Sequence, residues 1–422
     1  MSREMKDSGV EWIGKIPKNW DTIPLKRLSK IQTGSSPDKK EGNNNYSDES
    51  GIPWIKAENL GEFFPIHSTS EYLTENGCKL GRIYPPYTVY VCCIASIGKV
   101  GFSDIECSCN QQINGLSFNN IVNWKFGFYE TLASAIEHIA RSNKSVTPIL
   151  NATEEGKIKF AISSPTEQQQ IVHFLDRKCT AIDTAIEKTK KSIEKLEEYK
   201  KAVITKAVTK HEGWTECKLR FVANIVRGGS PRPIEAYITD GEGLNWVKIG
   251  DATGNGKYIN NTKQKITKDG LNKTRLVPAG TLLLTNSMSF GHPYVLNIEG
   301  CIHDGWLAFF DFEKVTQDYL YYFLESDVAM EQFSRSVEGS VVNNLNIDKV
   351  KSSYIAFPSI TEQNLIVKRL DRLCIAINAV IEKKKKAIEK WEEYKKSLIY
   401  YAVTGKIDCR GEETSYEKST IN

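Results

Sequence analysis

TEQQQIVHFLDRKCTAIDTAIEKTKKSIEKLEEYKKAVITKAVT, residues 166–209, returns as TEQNLIVKRLDRLCIAINAVIEKKKKAIEKWEEYKKSLIYYAVT, residues 361–404. The two copies align without a gap, and well over half their positions are identical. A repeat of this length implies a duplicated unit and two similar halves. Neither copy contains Gly or Pro, and both are rich in Glu, Lys, Ala, Leu and Ile, so each predicts one long helix with Thr166 or Thr361 as N-cap. Apolar residues recur every seven positions. Leu175, Ile182, Ile186, Ile193 and Leu196 mark the seam of the first copy; Leu370, Ile377, Ile381, Ile388 and Trp391 mark that of the second. Lys200 and Lys395 interrupt the two seams at equivalent places. Each helix would be roughly 60 Å long at 1.5 Å per residue. Two separate amphipathic helices, each packed on its own domain, would also give such stripes. The sustained heptads favour an antiparallel pair acting as a rigid spacer that holds the two halves apart.

Working outward from the helices, the segments between them also resemble each other, weakly but in order. NWDTIPLKRLSKIQTGSSP (19–37) matches GWTECKLRFVANIVRGGSP (213–231), GIPWIKAEN (51–59) matches GLNWVKIGD (243–251), and GRIYPPYTVYV (81–91) matches TRLVPAGTLLL (274–284). The expected order is an N-terminal arm (1–19), a first domain (20–165), a central helix (166–210), a second domain (211–360), a C-terminal helix (361–404) and a tail (405–422). Short β-branched and aromatic runs such as 88–94 and 281–285 predict strands, while 123–141 and 316–335 look helical. The fold class expected is α+β: two similar mixed α/β domains separated by a long antiparallel coiled coil. With antiparallel helices the tail could meet the arm, where Trp12 and Ile13 are the docking groups. That would imitate the continuous junction 207–214 and give a pseudo-twofold, circular arrangement.

A chain of 422 residues with 40% hydrophobic residues can build two or three real cores. No apolar run reaches membrane-spanning length, and the polar start MSREMKDSG does not read as a signal peptide, so the cytoplasm is the expected compartment. The ten cysteines include no CxxC pair. A zinc site from Cys92, Cys93, Cys107 and Cys109 is weighed against buried reduced thiols in strands, and the latter is preferred. A net charge of +4 permits a nucleic-acid partner without demanding one.

Catalytic signatures are missing. There is no GxxxxGK[ST] loop, no GxGxxG after a strand, no HExxH and no GxSxG. Tyr84-Pro85-Pro86-Tyr87 resembles the Asn-Pro-Pro-Tyr motif of amino-methyltransferases, but Tyr84 cannot supply the amide that accepts from a target amino group, and the segment reads as a turn. The lysine runs 188–191 and 383–386 alternate with glutamates and read as solvated helix faces.

Recognition chemistry is therefore sought in the loops between elements: 34–50, 103–112, 142–151, 227–243, 251–263, 286–293 and 336–346. Arg and Lys suit guanine, Asn and Gln adenine, and Asp cytosine. In the first domain the candidates are Lys39, Asn44, Lys56 and Asn59, followed by Lys99, Asn110 and Gln111. In the second they are Arg232, Lys248, Asp251 and Asn286, followed by Ser289, His292, His303 and Asp304. Lys144 and Ser145, with Ser340 and Asn343 in the second half, suit phosphate contact.

The arm GVEWIGKIPKNW, the two TEQ-initiated helices ending in EEYKK, and the tail TGKIDCR resemble the specificity subunits of type I restriction–modification systems over nearly the whole chain. That resemblance implies a non-catalytic subunit whose two target recognition domains read a bipartite, asymmetric sequence in double-stranded DNA. It implies two methyltransferase subunits and two ATP-dependent endonuclease subunits as partners. S-adenosylmethionine, ATP and Mg would be their cofactors, with none in this chain and no metal. Two rivals are a self-contained DNA methyltransferase or nuclease, and a structural adaptor that binds proteins instead of DNA.

Overall fold

The computed structural model describes all residues except 1–2, 41–43, 62, 144, 253–255, 288–289, 338–344 and 411–422. Lys144, Ser289, Ser340 and Asn343 lie outside the described residues. The chain forms two compact units, residues 1–187 with 388–422 and residues 188–387.

In the first unit a four-stranded antiparallel sheet joins Ser29–Thr33, Ile113–Phe118, Thr88–Cys92 and Val100–Ser103. A second sheet joins Tyr46–Ser47, Tyr72–Leu73, Ile52–Ile55, Cys107–Cys109 and Ile83–Tyr84, with 107–109 parallel to 52–55. Alternation along Thr88–Cys92 explains the layering. Val89 and Val91 enter the core shared with the helices, while Tyr90 and Cys92 enter a second core with Ile55, Tyr84 and Cys107. Successive strand side chains point to opposite faces, so a strand buried on both faces reads as a continuous apolar run. Residues 103–112, expected to be a loop, contain the buried strand Cys107–Cys109, which is too short to show a period in sequence. Burial pushes the Cys93 and Cys109 thiols up to about 12.

The second unit repeats this plan. Asn224–Arg227, Trp306–Phe310, Leu282–Thr285 and Pro293–Leu296 form one sheet, extended by Tyr258–Ile259. Ile238–Thr239, Gln264–Ile266, Leu244–Val247, Gly300–Ile302 and Arg275–Val277 form the other. Leu282 and Leu284 face one core and Leu283 the other. The helical stretch expected over 316–335 is two helices, Gln317–Glu325 and Asp327–Val337, broken at Ser326. The stretch over 123–141 divides likewise into Trp124–Ala133 and Ala135–Arg141.

The repeated segments are helices of 44 residues each, Pro165–Val208 and Ile360–Val403. They start one residue before the threonines named above. Ser164 and Ser359 cap them, with the Glu167 and Glu362 amides donating to the serine hydroxyls, and Pro165 takes the first helical position, where its missing N–H costs nothing. Within each unit the helix segments run antiparallel. In the first unit Trp20 Nε1 donates to Glu167 near the start of one helix. The same ring packs against Gly405, just past the end of the other, and further along Asp183 meets Lys395. Gly405 has φ +67°, the left-handed conformation that ends a helix without a Cβ penalty. In the second unit Lys200 donates to Asn378.

Leu175, Ile182, Ile186, Leu370, Ile377 and Ile381 are buried, and Ile193, Leu196 and Ile388 are half-buried. A fully buried leucine contributes about 2 kcal/mol. Trp391 departs from the expected seam. It is 41% exposed and packs edge-on against Tyr394; the equivalent residue is Leu196, a smaller side chain that a two-helix seam accommodates. The tail meets the arm within the first unit, where Lys406 and Tyr400 donate to the Ile13 carbonyl at 2.7 and 3.1 Å. Ile13 is buried and Trp12 partly so.

Candidate nucleic-acid interface

The matched segments GSSP and GGSP follow the strands Ser29–Thr33 and Asn224–Arg227. Each crosses to the second sheet of its unit and abuts a turn between two strands. In the first unit the Gly34 amide donates to the Ile113 carbonyl at 2.8 Å and the Ser35 amide to Cys109 at 2.9 Å. In the second, Gly228 donates to Trp306 at 3.0 Å and Gly229 to Ile302 at 3.1 Å. A Cβ at Gly34 would collide with the carbonyls of Cys109 and Asn110, and one at Gly228 with those of Ile302 and His303. Glycine is needed at both places because backbone meets backbone.

By these crossings Asn110 in the first unit corresponds to His303 in the second, and Gln111 to Asp304. Ile113 N–H closes one turn on Asn110 at 3.1 Å, and Trp306 N–H closes the other on His303 at 3.0 Å. Asn110 and His303 hold the turns themselves. Asn110 Oδ1 accepts from the Gln112 amide at 3.1 Å, and His303 Nδ1 from the Gly305 amide at 2.9 Å. Burial is the largest cause of a lowered His303 pKa; Asp304 opposes it, and Lys248, Arg227 and Arg232 add to it. The same Nδ1 lies 3.0 Å from Asp304 Oδ1. Ser36 donates to Gln111 Oε1; Ser230 donates to Asp304 Oδ1 at 2.9 Å.

Beside each turn lies a lysine. The Lys56 and Lys248 amides donate at 2.8 Å to Asn59 Oδ1 and Asp251 Oδ2. Asn59 and Asp251 thereby act as local caps, and Asp251, which also accepts from the Lys263 amide, is buried with both carboxylate oxygens engaged. Lys56 pairs with Glu71, and so does Lys39, which lies over the Tyr46 and Trp54 rings at 4.6 and 5.3 Å. The Lys39 hydrogen bond first, then that of Lys56, hold Glu71 below the ordinary carboxylate value. Lys248 instead donates to the neutral Gln264 at 2.7 Å.

The remaining candidates divide. Lys99 donates to the Ala57 carbonyl at 2.9 Å and fastens the segment carrying Lys56. Asn286 is buried, its amide donating to the Asp304 carbonyl at 3.1 Å, so it supports the turn from below. Arg232 is 84% exposed, with a guanidinium nitrogen 3.9 Å from Asp304. His292 takes no part in the turn: its amide donates to Thr285, and burial, then Lys201, lowers its pKa. Asn44 is exposed and its carbonyl accepts from Thr74. Ser145 donates to Asn143 at 2.9 Å.

The structure thus brings together Lys39, Lys56, Asn110 and Gln111 in one unit, and Arg232, Lys248, His303 and Asp304 in the other. Sequence reasoning missed Ser36 and Ser230, although the GSSP–GGSP match contained them. It also missed Arg82 and Arg275, which donate to the carbonyls of Thr33 and Arg227 at equivalent strand ends. Among the described residues no group of His, Cys, Asp or Glu is placed to hold a metal ion, and no helix is long and apolar enough to cross a membrane.

Comparison with known proteins points the same way. The family described as type I restriction modification DNA specificity domain matches residues 17–198 and again 211–390. The type I restriction enzyme MjaIX specificity subunit of Methanocaldococcus jannaschii is 30% identical over 194 residues, 44% of this chain and 43% of that protein. The MjaVIII specificity subunit of the same organism is 26% identical over 276 residues, 59% of this chain and 62% of that protein. The chain therefore matches less than two thirds of the length of either curated relative. A chain from a structure describing complex assembly and conformational transition of the type I R-M system shares the fold. Its TM-score is 0.71 at 15% identity, covering 93% of this chain and 99% of that one.

Proposed function

Because the chain belongs to the type I restriction modification DNA specificity family, with both of its repeats matched, we propose that it reads a two-part site in double-stranded DNA, one half-site per unit. In this reading it performs no chemistry itself. It presents the site to methyltransferase subunits and to ATP-dependent endonuclease subunits, two of each. S-adenosylmethionine, ATP and Mg serve those partners, not this chain.

One observation carries the reading: two equivalent turns stand on the same frame of glycine crossing, serine and lysine, yet differ at their tips, Gln111 in one and Asp304 in the other. A scaffold used twice for one target would have no use for different tips; two different half-sites require them. Lysine and arginine around each turn supply the sequence-independent attraction to phosphate, and the tips supply base readout.

The test is selection of bound duplexes from a randomised pool by the purified full chain, followed by salt titration. Two short conserved blocks separated by a fixed unconserved gap, with affinity falling as salt rises, are expected. Recovery of a single continuous block, or of no sequence at all, would overturn the reading.

A further inference from the structure

The two tips differ in a way that specifies which bases they suit. Resting on the DNA-reading function proposed above, we infer that Gln111 reads an adenine in one half-site and Asp304 a cytosine in the other, as equivalent specificity-determining residues.

The duplication acts as an internal control. Around both tips the frame shares its glycine crossing, its capped lysine and its arginine. Gly34 and Gly228 cross at the same place, Lys56 and Lys248 are capped in the same way, and Arg82 and Arg275 hold the same strand end. A serine hydroxyl takes one oxygen of each tip, Ser36 on Gln111 and Ser230 on Asp304. What each tip has left to offer is then fixed by its own chemistry. Gln111 is exposed. With Oε1 accepting from Ser36, it keeps a second lone pair on that oxygen and both hydrogens of Nε2. A donor and an acceptor side by side match the N7 acceptor and N6 amino group of adenine. Asp304, with Oδ1 engaged by Ser230 and 3.0 Å from His303 Nδ1, keeps Oδ2. It can only accept, which suits the N4 amino group of cytosine and repels the N7 of a purine.

The neighbouring residues do not compete for this role. Asn110 spends both ends of its amide on Gln112, at 3.1 and 3.2 Å. His303 Nδ1 faces the Gly305 amide and Asp304 Oδ1. Arg232 is a rival, since an arginine suits the guanine of the same C·G pair. Its 3.9 Å separation from Asp304 and 84% exposure describe a side chain that Asp304 does not hold in a fixed fork.

The experiment uses the full chain and pairs of duplexes that differ from the selected site at one base pair, in competition binding at fixed salt. Asp304→Asn keeps the shape and the serine contact. It should lose the preference for a C·G pair at one position of one block by roughly ten- to hundredfold. Gln111→Glu should lose the preference for an A·T pair at one position of the other block by a similar factor. Arg232→Ala should keep the C·G preference. The block read by the unaltered unit serves as the folding control in each variant. Three results would each overturn the inference: base preferences unchanged in both tip variants, changes spread over both blocks, or loss of the C·G preference in Arg232→Ala. If the unaltered chain selects no sequence, the DNA-reading proposal itself fails. If it selects two blocks and the tip variants alter neither, only the assignment of these residues fails.

Discussion

Gln168 in the first unit and Gln363 in the second make the same three hydrogen bonds. Each side-chain amide donates to two backbone carbonyls, Ile121 and Ser163 in one case, Lys314 and Pro358 in the other, and accepts from one backbone amide, Asn123 or Thr316. Tyr129 and Tyr322 likewise donate to equivalent carboxylates, Asp176 and Asp371. Other interior positions have diverged. Lys395 ion-pairs with Asp183, whereas Lys200 meets the neutral Asn378. Glu130 is buried where the other unit buries Phe323. The contrast teaches that the Gln and Tyr contacts joining each long helix to its domain are kept by the repeated geometry. A pair of side chains can change provided both change compatibly, and an exposed turn tip can change alone.

The lysine contacts give the largest expected difference in stability between the units. Asp183→Ala leaves Lys395, only 7% exposed, without its carboxylate. An uncompensated buried charge costs several kcal/mol; Asp183 is about one quarter exposed, which reduces the loss to about 2 kcal/mol. Asn378→Ala removes a single 3.3 Å hydrogen bond from the half-buried Lys200 and should cost less than about 1 kcal/mol. Urea unfolding of the full-length variants measures both. Equal losses would show that the charge on Asp183 contributes nothing beyond its shape.

A smaller, pH-dependent difference follows from Glu130. Its burial raises the carboxyl pKa well above the ordinary value, and its hydrogen bond from the Ala161 amide only partly opposes this. The folded state then keeps a proton that the unfolded state releases once pH passes the unfolded value of about 4.3. From there upward the unfolded state binds fewer protons, so stability falls as pH rises, until the folded carboxyl itself ionises. Glu130→Gln removes that loss. The variant should match the original chain below about pH 4 and exceed it by about 1 kcal/mol after the next pH unit, as read from denaturation midpoints across pH. A constant difference at all pH values would contradict the assignment. Phe323, at the equivalent position, does not titrate, although burial raises the Glu325 carboxyl in the second unit.

Much of this frame was legible in the sequence because it repeats and because its periods are long. The paired helices follow from 44-residue stretches without Gly or Pro, and the matched GSSP and GGSP segments locate the crossings in both units. Trp391 was misplaced because a heptad records which residues are apolar, not whether their volume fits. Asn59 and Asp251 looked like base readers by residue type, although each also caps a backbone amide three residues before it, as Asn and Asp readily do. The link from Ser36 to Gln111 and from Ser230 to Asp304 spans about 75 residues in each unit, and no local pattern encodes a meeting of two distant turns. The part of the candidate site hardest to read in sequence was therefore the part assembled by the sheets.

The claim at the centre of this account is that each unit reads its own half-site. Replacing residues 20–165 with the corresponding domain of another family member, and mapping the sequence the chain selects from a randomised duplex pool, tests it most directly. One block of the recognised sequence should change to that of the donor, and the other should stay as it was. An active chimera in which both blocks change, or neither does, would contradict the account.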